Sequence, residues 1–216
     1  MGQHTRFPRV LMRAMPLAAL IAGIWLPSLA LGQNNEGLKL VPFTINVNSN
    51  SPVELYVYIQ GEVAQQTATL PPNTAVYISD LQGDVTIIPT CPNPPVGCSL
   101  ALDVGSQPMT QMMLPRLKGM RLYFSVNTPF LINSNQIGVL PDILGGGWTP
   151  TGENYNTIFD FAELDWQNRR FGGNVSEVDM FGIPMVLQMT GTNPGNNQPV
   201  TLNAGFTERR STIIAA

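Results

Sequence analysis

The sequence has 216 residues, of which 12% are charged, and 14 Asp and Glu outnumber 11 Lys and Arg for a formal net charge of −3. This acidic balance makes nucleic acid and anionic membranes poor partners. The single histidine, His4, lies in an N-terminal segment that we expect to be removed. Its removal excludes a Ser-His-Asp or Cys-His nucleophile and a His-ligated zinc site, so no metal or cofactor is predicted.

Residues 1–32 have the pattern of a secretory signal peptide. Three arginines fall within the first 13 residues, residues 15–30 are largely apolar, and Ala30-Leu31-Gly32 is a small-x-small cleavage motif. A transmembrane anchor is the alternative, but two prolines bound an apolar run shorter than the ~20 residues that span a bilayer. We expect residues 33–216 to be exported, extracellular or periplasmic, with a net charge of −6 and no membrane attachment.

Short alternating segments separated by turn clusters dominate residues 33–216, and no helical pattern exceeds two turns. The strands predicted on this pattern are Val41–Val47, Val53–Gln60, Ala75–Ile78, Val85–Ile88, Arg121–Val126 and Phe130–Ile132. Their number and spacing indicate one all-β domain, a sandwich or flattened barrel.

Cys91 and Cys98 flank a short Pro-rich loop, and in an exported protein we expect them to form a disulfide. A pair of free thiols is the alternative. Further along, three glycines precede Trp148 in a loop that also carries Asn154. This loop lacks the residues and the helix of a phosphate-binding loop.

Residues 159–185 hold the chemistry that the sequence offers, because six of the fourteen carboxylates lie between Glu153 and Asp179. The segment is predicted to form two strands joined by a loop that contains Gly172-Gly173. Alternation places Glu163 on one face with two phenylalanines, whose apolar surface favours a neutral, proton-donating carboxyl. A hairpin centred on Phe171 would bring Glu163 close to Asp179, as glycoside hydrolysis requires. The alternative is two polar residues on a solvated strand.

The motifs F-D-F-A-E-L and V-S-E-V-D-M-F-G-I-P-M, with sixteen residues from Glu163 to Asp179, resemble those of glycoside hydrolase family 64. The second motif is also similar to a thaumatin pattern, and L-P-R-L-K-G-M-R-L-Y-F-S resembles the strand that enters the same sheet. The family comprises inverting β-1,3-glucanases of the thaumatin-like superfamily. Thaumatins proper contain many disulfides, whereas this chain has two cysteines, which favours family 64.

The resemblance implies a thaumatin-like β fold over residues 33–216 and a β-1,3-glucan substrate. It also implies Glu163 as the general acid and Asp179 as the general base. Asp165, Ser176 and Asn154 are candidate partners for sugar hydroxyls, and Trp148 is a candidate for stacking on a glucose ring, with an exposed structural tryptophan as the alternative.

Family 64 enzymes have a second, α/β lobe, and this sequence ends where that lobe would begin. We therefore expect the barrel lobe without most of the second one, which a separate chain would have to supply. The alternatives to an active glucanase are a non-catalytic β-1,3-glucan-binding module and a truncated fragment of a two-lobe enzyme.

Overall fold

The computed structural model describes residues 19–24, 33–49, 51–91, 98–141, 150–152, 154–167, 170–175, 182–193 and 195–206. These residues form β-strands and no helix, which confirms the all-β prediction. The strands are β1 (Ala19–Ile24), β2 (Leu40–Asn48), β3 (Leu55–Glu62), β4 (Ala75–Ile78), β5 (Val85–Ile87), β6 (Leu102–Gly105), β7 (Met109–Pro115), β8 (Lys118–Val126), β9 (Ile158–Gln167), β10 (Arg170–Val175), β11 (Met185–Thr192) and β12 (Pro199–Gly205).

The strands form two sheets. The first has five strands in the order β12-β11-β1-β2-β7, and the second runs β10-β9-β8-β3-β4-β5, with β6 paired to the other half of β3. Every pair is antiparallel except β1 with β11. Two mostly antiparallel sheets built from short strands are typical of a β-sandwich.

The main core lies between the two sheets because each strand directs alternate apolar side chains inward. Phe43 and Leu114 of the first sheet belong to the same buried cluster as Ile59, Phe124 and Leu164 of the second. The alternating apolar residues of the sequence therefore stabilise the fold mainly through the burial of these side chains.

The outer face of the second sheet carries a smaller buried cluster that is rich in aromatic side chains. Residues 127–141 cover this face and insert Phe130, whose ring centroid lies 5.2 Å from that of Tyr123. The predicted strand Phe130–Ile132 is therefore wrong: this segment is a covering loop, paired only by isolated bridges. The predicted Cys91–Cys98 disulfide is present, and both cysteines bridge to this loop.

The other five predicted strands are confirmed as β2, β3, β4, β5 and β8. β1 was not predicted, because it lies inside the predicted signal peptide. It occupies the centre of the first sheet, with Ile21 between Asn46 of β2 and Val186 of β11. The domain boundary at residue 32 remains a prediction. Among the described residues, no helix has the length and hydropathy to cross a membrane.

Candidate active site

The strands β9 and β10 form the hairpin that carries Glu163. Gln167 pairs with Arg170, and the cross-strand partner of Glu163 is Asn174. The predicted hairpin centred on Phe171 is therefore wrong. Gly172-Gly173 lie inside β10 and not in the connecting loop.

The carboxylate of Glu163 is held between two neighbouring strands. Arg121 of β8 donates from Nε to Oε1 at 2.9 Å, and Asn174 of β10 donates from Nδ2 to Oε2 at 3.4 Å. The two side chains of the ion pair are 39% and 36% exposed, so the contact is open to solvent on one side. These two polar partners of Glu163 were not predicted from the sequence.

The aromatic neighbours predicted for Glu163 are nevertheless on its face of the sheet. Phe161 lies two residues before Glu163 on β9, and the guanidinium carbon of Arg121 lies 5.8 Å from the centre of its ring. Phe161 in turn packs beside Tyr123, with the ring centroids 5.5 Å apart. One side of Glu163 is therefore apolar and the other is polar.

Glu163 lies on the floor of a groove with a volume of about 710 Å³. The floor crosses four strands, and the loop residues Leu140 and Pro141 form part of one wall. The other residues that line the groove are Gln60, Gly119, Met120, Arg121, Leu164, Asp165, Gly172, Gly173 and Asn174. A concave site with a few convergent polar groups is the usual form of a ligand-binding site.

Asp160 is a second carboxyl group of β9, on the opposite face from Glu163, and it is fully buried. Its Oδ2 accepts hydrogen bonds from the backbone N–H groups of Gly182 and Ile183, and its Oδ1 accepts one from Phe161. Burial raises the pKa of Asp160 to about 6, against the opposing effect of these three donors. Asp160 thereby fixes the chain three residues after position 179.

Of the remaining predicted site residues, the structure describes Asp165 and Asn154. Asp165 is exposed, lines the groove and accepts a hydrogen bond from the Gly119 N–H at 3.0 Å. Asn154 is buried, and its amide bonds both the N–H and the C=O of Leu131, so it has a structural role in the covering loop. Asp179, Ser176 and Trp148 lie outside the described residues. The roles predicted for them from the sequence therefore remain predictions.

Two residues of the site were missed as partners of Glu163. These residues are Arg121 of β8 and Asn174 of β10. Their roles depend on cross-strand register, since Arg121 is 42 residues from Glu163 in sequence. Within the described part of the chain, no group of three or more His, Cys, Asp or Glu residues could hold a metal ion.

Comparison with known proteins agrees with the family resemblance noted in the sequence. The family model Glyco_hydro_64, described as beta-1,3-glucanase, matches residues 39–214. No curated protein matched the chain significantly.

Two solved structures share the fold. A β-1,3-glucanase domain (GH64) from Clostridium beijerinckii has a TM-score of 0.53 and 19% identity, covering 94% of this chain and 50% of its own. A laminaripentaose-producing β-1,3-glucanase of GH family 64 from Paenibacillus barengoltzii, complexed with laminarihexaose, has a TM-score of 0.53 and 20% identity, covering 96% of this chain and 45% of its own. This chain therefore spans about half the length of the structures that it matches.

Proposed function

This chain belongs to glycoside hydrolase family 64, the β-1,3-glucanases, and from that membership we propose that it binds β-1,3-glucan in the groove around Glu163 and hydrolyses it. The observation that carries the proposal is the position of Glu163. Its carboxyl group lies on the floor of a groove, held by one side chain from each neighbouring strand.

In the proposed reaction, Glu163 donates a proton to the oxygen of the glycosidic bond as that bond breaks. Asp179 takes a proton from a water molecule that attacks the anomeric carbon from the opposite face, so the configuration inverts. This geometry requires carboxyl groups roughly 6.5–9.5 Å apart, whereas about 5 Å would produce retention. Inversion predicts that the new reducing end first appears as the α-anomer.

The Arg121–Glu163 ion pair places a condition on this mechanism. Oε1 of Glu163 accepts a hydrogen bond from Nε of Arg121, so Glu163 must exchange this contact for one with the glycosidic oxygen when the groove fills. Because Arg121 and Glu163 are both more than one-third exposed, solvent screens their attraction and the contact is weak enough to rearrange. Hydrogen bonds in unoccupied active sites commonly change when substrate binds.

The test is the release of reducing ends from laminarin and curdlan by the unmodified protein, Glu163→Gln and Asp179→Asn. Each substitution should lower turnover by roughly 10²–10⁴-fold, the usual contribution of a general acid or base. Glu62→Gln is the matched control, because Glu62 lies in the same sheet and pairs with Lys118 outside the groove lining. Turnover that survives in Glu163→Gln would contradict the assignment. Curdlan binding without any turnover in the unmodified protein would identify a binding module instead.

We also propose that residues 1–32 direct export, on the basis of their signal-peptide pattern alone. Detection of an N-terminus at Gln33 in protein from the culture medium or periplasm would support it. Exported protein that still carries residues 1–32 would contradict it.

A further inference from the structure

The groove around Glu163 is closed in one direction along the strands. Two residues before Glu163 on β9 and two after Arg121 on β8 are Phe161 and Tyr123, which pack against each other. Phe130 of the covering loop stacks on Tyr123, and Leu140 and Pro141 continue this wall into the groove lining. A polymer lying on the floor cannot continue along the strands in this direction.

Across the strands, the floor is open because two of its positions lack side chains. Alternation places Asp165 on the same face as Glu163, with Gly172 as its cross-strand partner on β10 and Gly119 beside it on β8. A Cβ atom added at either glycine would meet no atom of the described residues within 4 Å. The two positions that flank Asp165 across the strands thus carry no side chain.

The open direction also leads to the edge of the sheet. β10 is the terminal strand of the second sheet, and Gly172 and Asn174 of this strand are both exposed and line the groove. A chain that enters over β10 therefore meets no side chain at Gly172 before it reaches Asp165 and Glu163.

We propose that β-1,3-glucan lies across the strands of the second sheet, with sugar rings over Gly172 and Gly119 and with Asp165 and Asn174 bonding their hydroxyl groups. This inference rests on the proposed function and adds the direction of the polysaccharide. It makes Gly172 a specificity-determining position, because a side chain larger than a methyl group there occupies the path of the polymer.

The experiment introduces a side chain at Gly172 and measures binding of laminarihexaose by calorimetry, with cellohexaose as the β-1,4-linked control. Gly172→Ile adds a stiff aliphatic group that strands favour and that forms no hydrogen bonds with sugars. Gly172→Ala is the matched control, since its methyl group has free space and leaves most of the groove open. Both variants should retain the unfolding temperature of the unmodified protein, because Gly172 lies outside the left-handed region.

We expect the affinity for laminarihexaose to fall at least about tenfold in Gly172→Ile and to change less than about threefold in Gly172→Ala. Normal affinity in a folded Gly172→Ile protein would overturn the path across the strands while leaving the proposed function intact. Absence of binding by the unmodified protein would overturn both. Asn174→Ala supplies an independent measurement that does not alter the glycine backbone, and unchanged affinity in that variant would also count against the path.

Discussion

Asp160 shows how one buried side chain connects the acid–base properties of the protein to the geometry of its site. The carboxyl group has no exposed surface, yet it accepts hydrogen bonds from Gly182 and Ile183, which follow the segment containing Asp179. Burial disfavours its charged form and raises its pKa to about 6. The free energy of unfolding should therefore depend on pH through this residue.

The expected sign follows from the proton balance. In the unfolded chain Asp160 ionises near its ordinary pKa of 3.8, whereas in the folded protein it keeps its proton up to about pH 6. Between these values the folded state binds more protons, so stability falls as pH rises, by at most about 3 kcal/mol. Its protonated form thus contributes stability that is fully present below about pH 4 and lost above about pH 6.

Urea unfolding at several values between pH 4 and pH 7 checks this expectation when the unmodified protein is compared with Asp160→Asn. The amide does not ionise, so the difference in unfolding free energy between the two proteins should change across this window. Asn also replaces one acceptor by a donor and should lower stability by about 1–3 kcal/mol at every pH. A difference that stays constant with pH would contradict the raised pKa.

At the scale of the elements, the turn before β11 is fastened to β9 by backbone contact as well as by Asp160. A Cβ atom at Gly182 would overlap the carbonyl oxygen of Phe159. No side-chain rotation relieves a clash with backbone. Only glycine therefore allows this turn to lie against the strand that carries Glu163.

We predict that Gly182→Ala lowers the free energy of unfolding by at least about 2 kcal/mol, since the turn must move away from β9. Movement of the turn also weakens the Asp160 hydrogen bonds, so the proposed glucanase activity should fall with stability. Thermal and urea unfolding measure the effect, with Gly172→Ala as the glycine control in an open position. Equal stability of the two variants would mean that Gly182 does not lie against the carbonyl oxygen of Phe159.

The β9–β10 hairpin also shows which features could be predicted from the sequence. Alternation correctly placed Glu163 on the face of Phe159 and Phe161, because this relation is local to one strand. The register was wrong because Gly172-Gly173 resemble turn residues. In the structure Gly172 faces the groove, whereas a Cβ atom on Gly173 would lie 2.7 Å from Leu164, so close packing explains one glycine and open space the other.

Long-range relations could not be predicted in the same way. The pairing of Arg121 with Glu163 depends on β8 lying beside β9, which no local pattern specifies. A strand was predicted at Phe130–Ile132 within the covering loop, but the side chains of Phe130 and Ile132 both insert into the outer aromatic cluster. Tertiary packing decided the role of these residues.

At the scale of the whole molecule, the first sheet depends on a segment that the sequence predicts to be removed. β1 pairs with β2 on one side and β11 on the other, so it joins the N-terminal and C-terminal parts of this sheet. Cleavage after Gly32 would leave one edge of β2 and one edge of β11 without this partner. Unpaired strand edges are open to association with other chains.

We therefore predict that a chain starting at Gln33 unfolds at a lower temperature than a chain starting at residue 17, and that it associates more readily. Differential scanning calorimetry and sedimentation velocity measure the two effects. Ile21→Pro in the longer chain is the control, because proline removes a donor from the middle of β1 and is poorly tolerated in a central strand. This variant should behave like the shorter chain. If all three proteins are equally stable and monomeric, β1 contributes nothing to the folded domain, and the sheet holds together through contacts between the two layers alone.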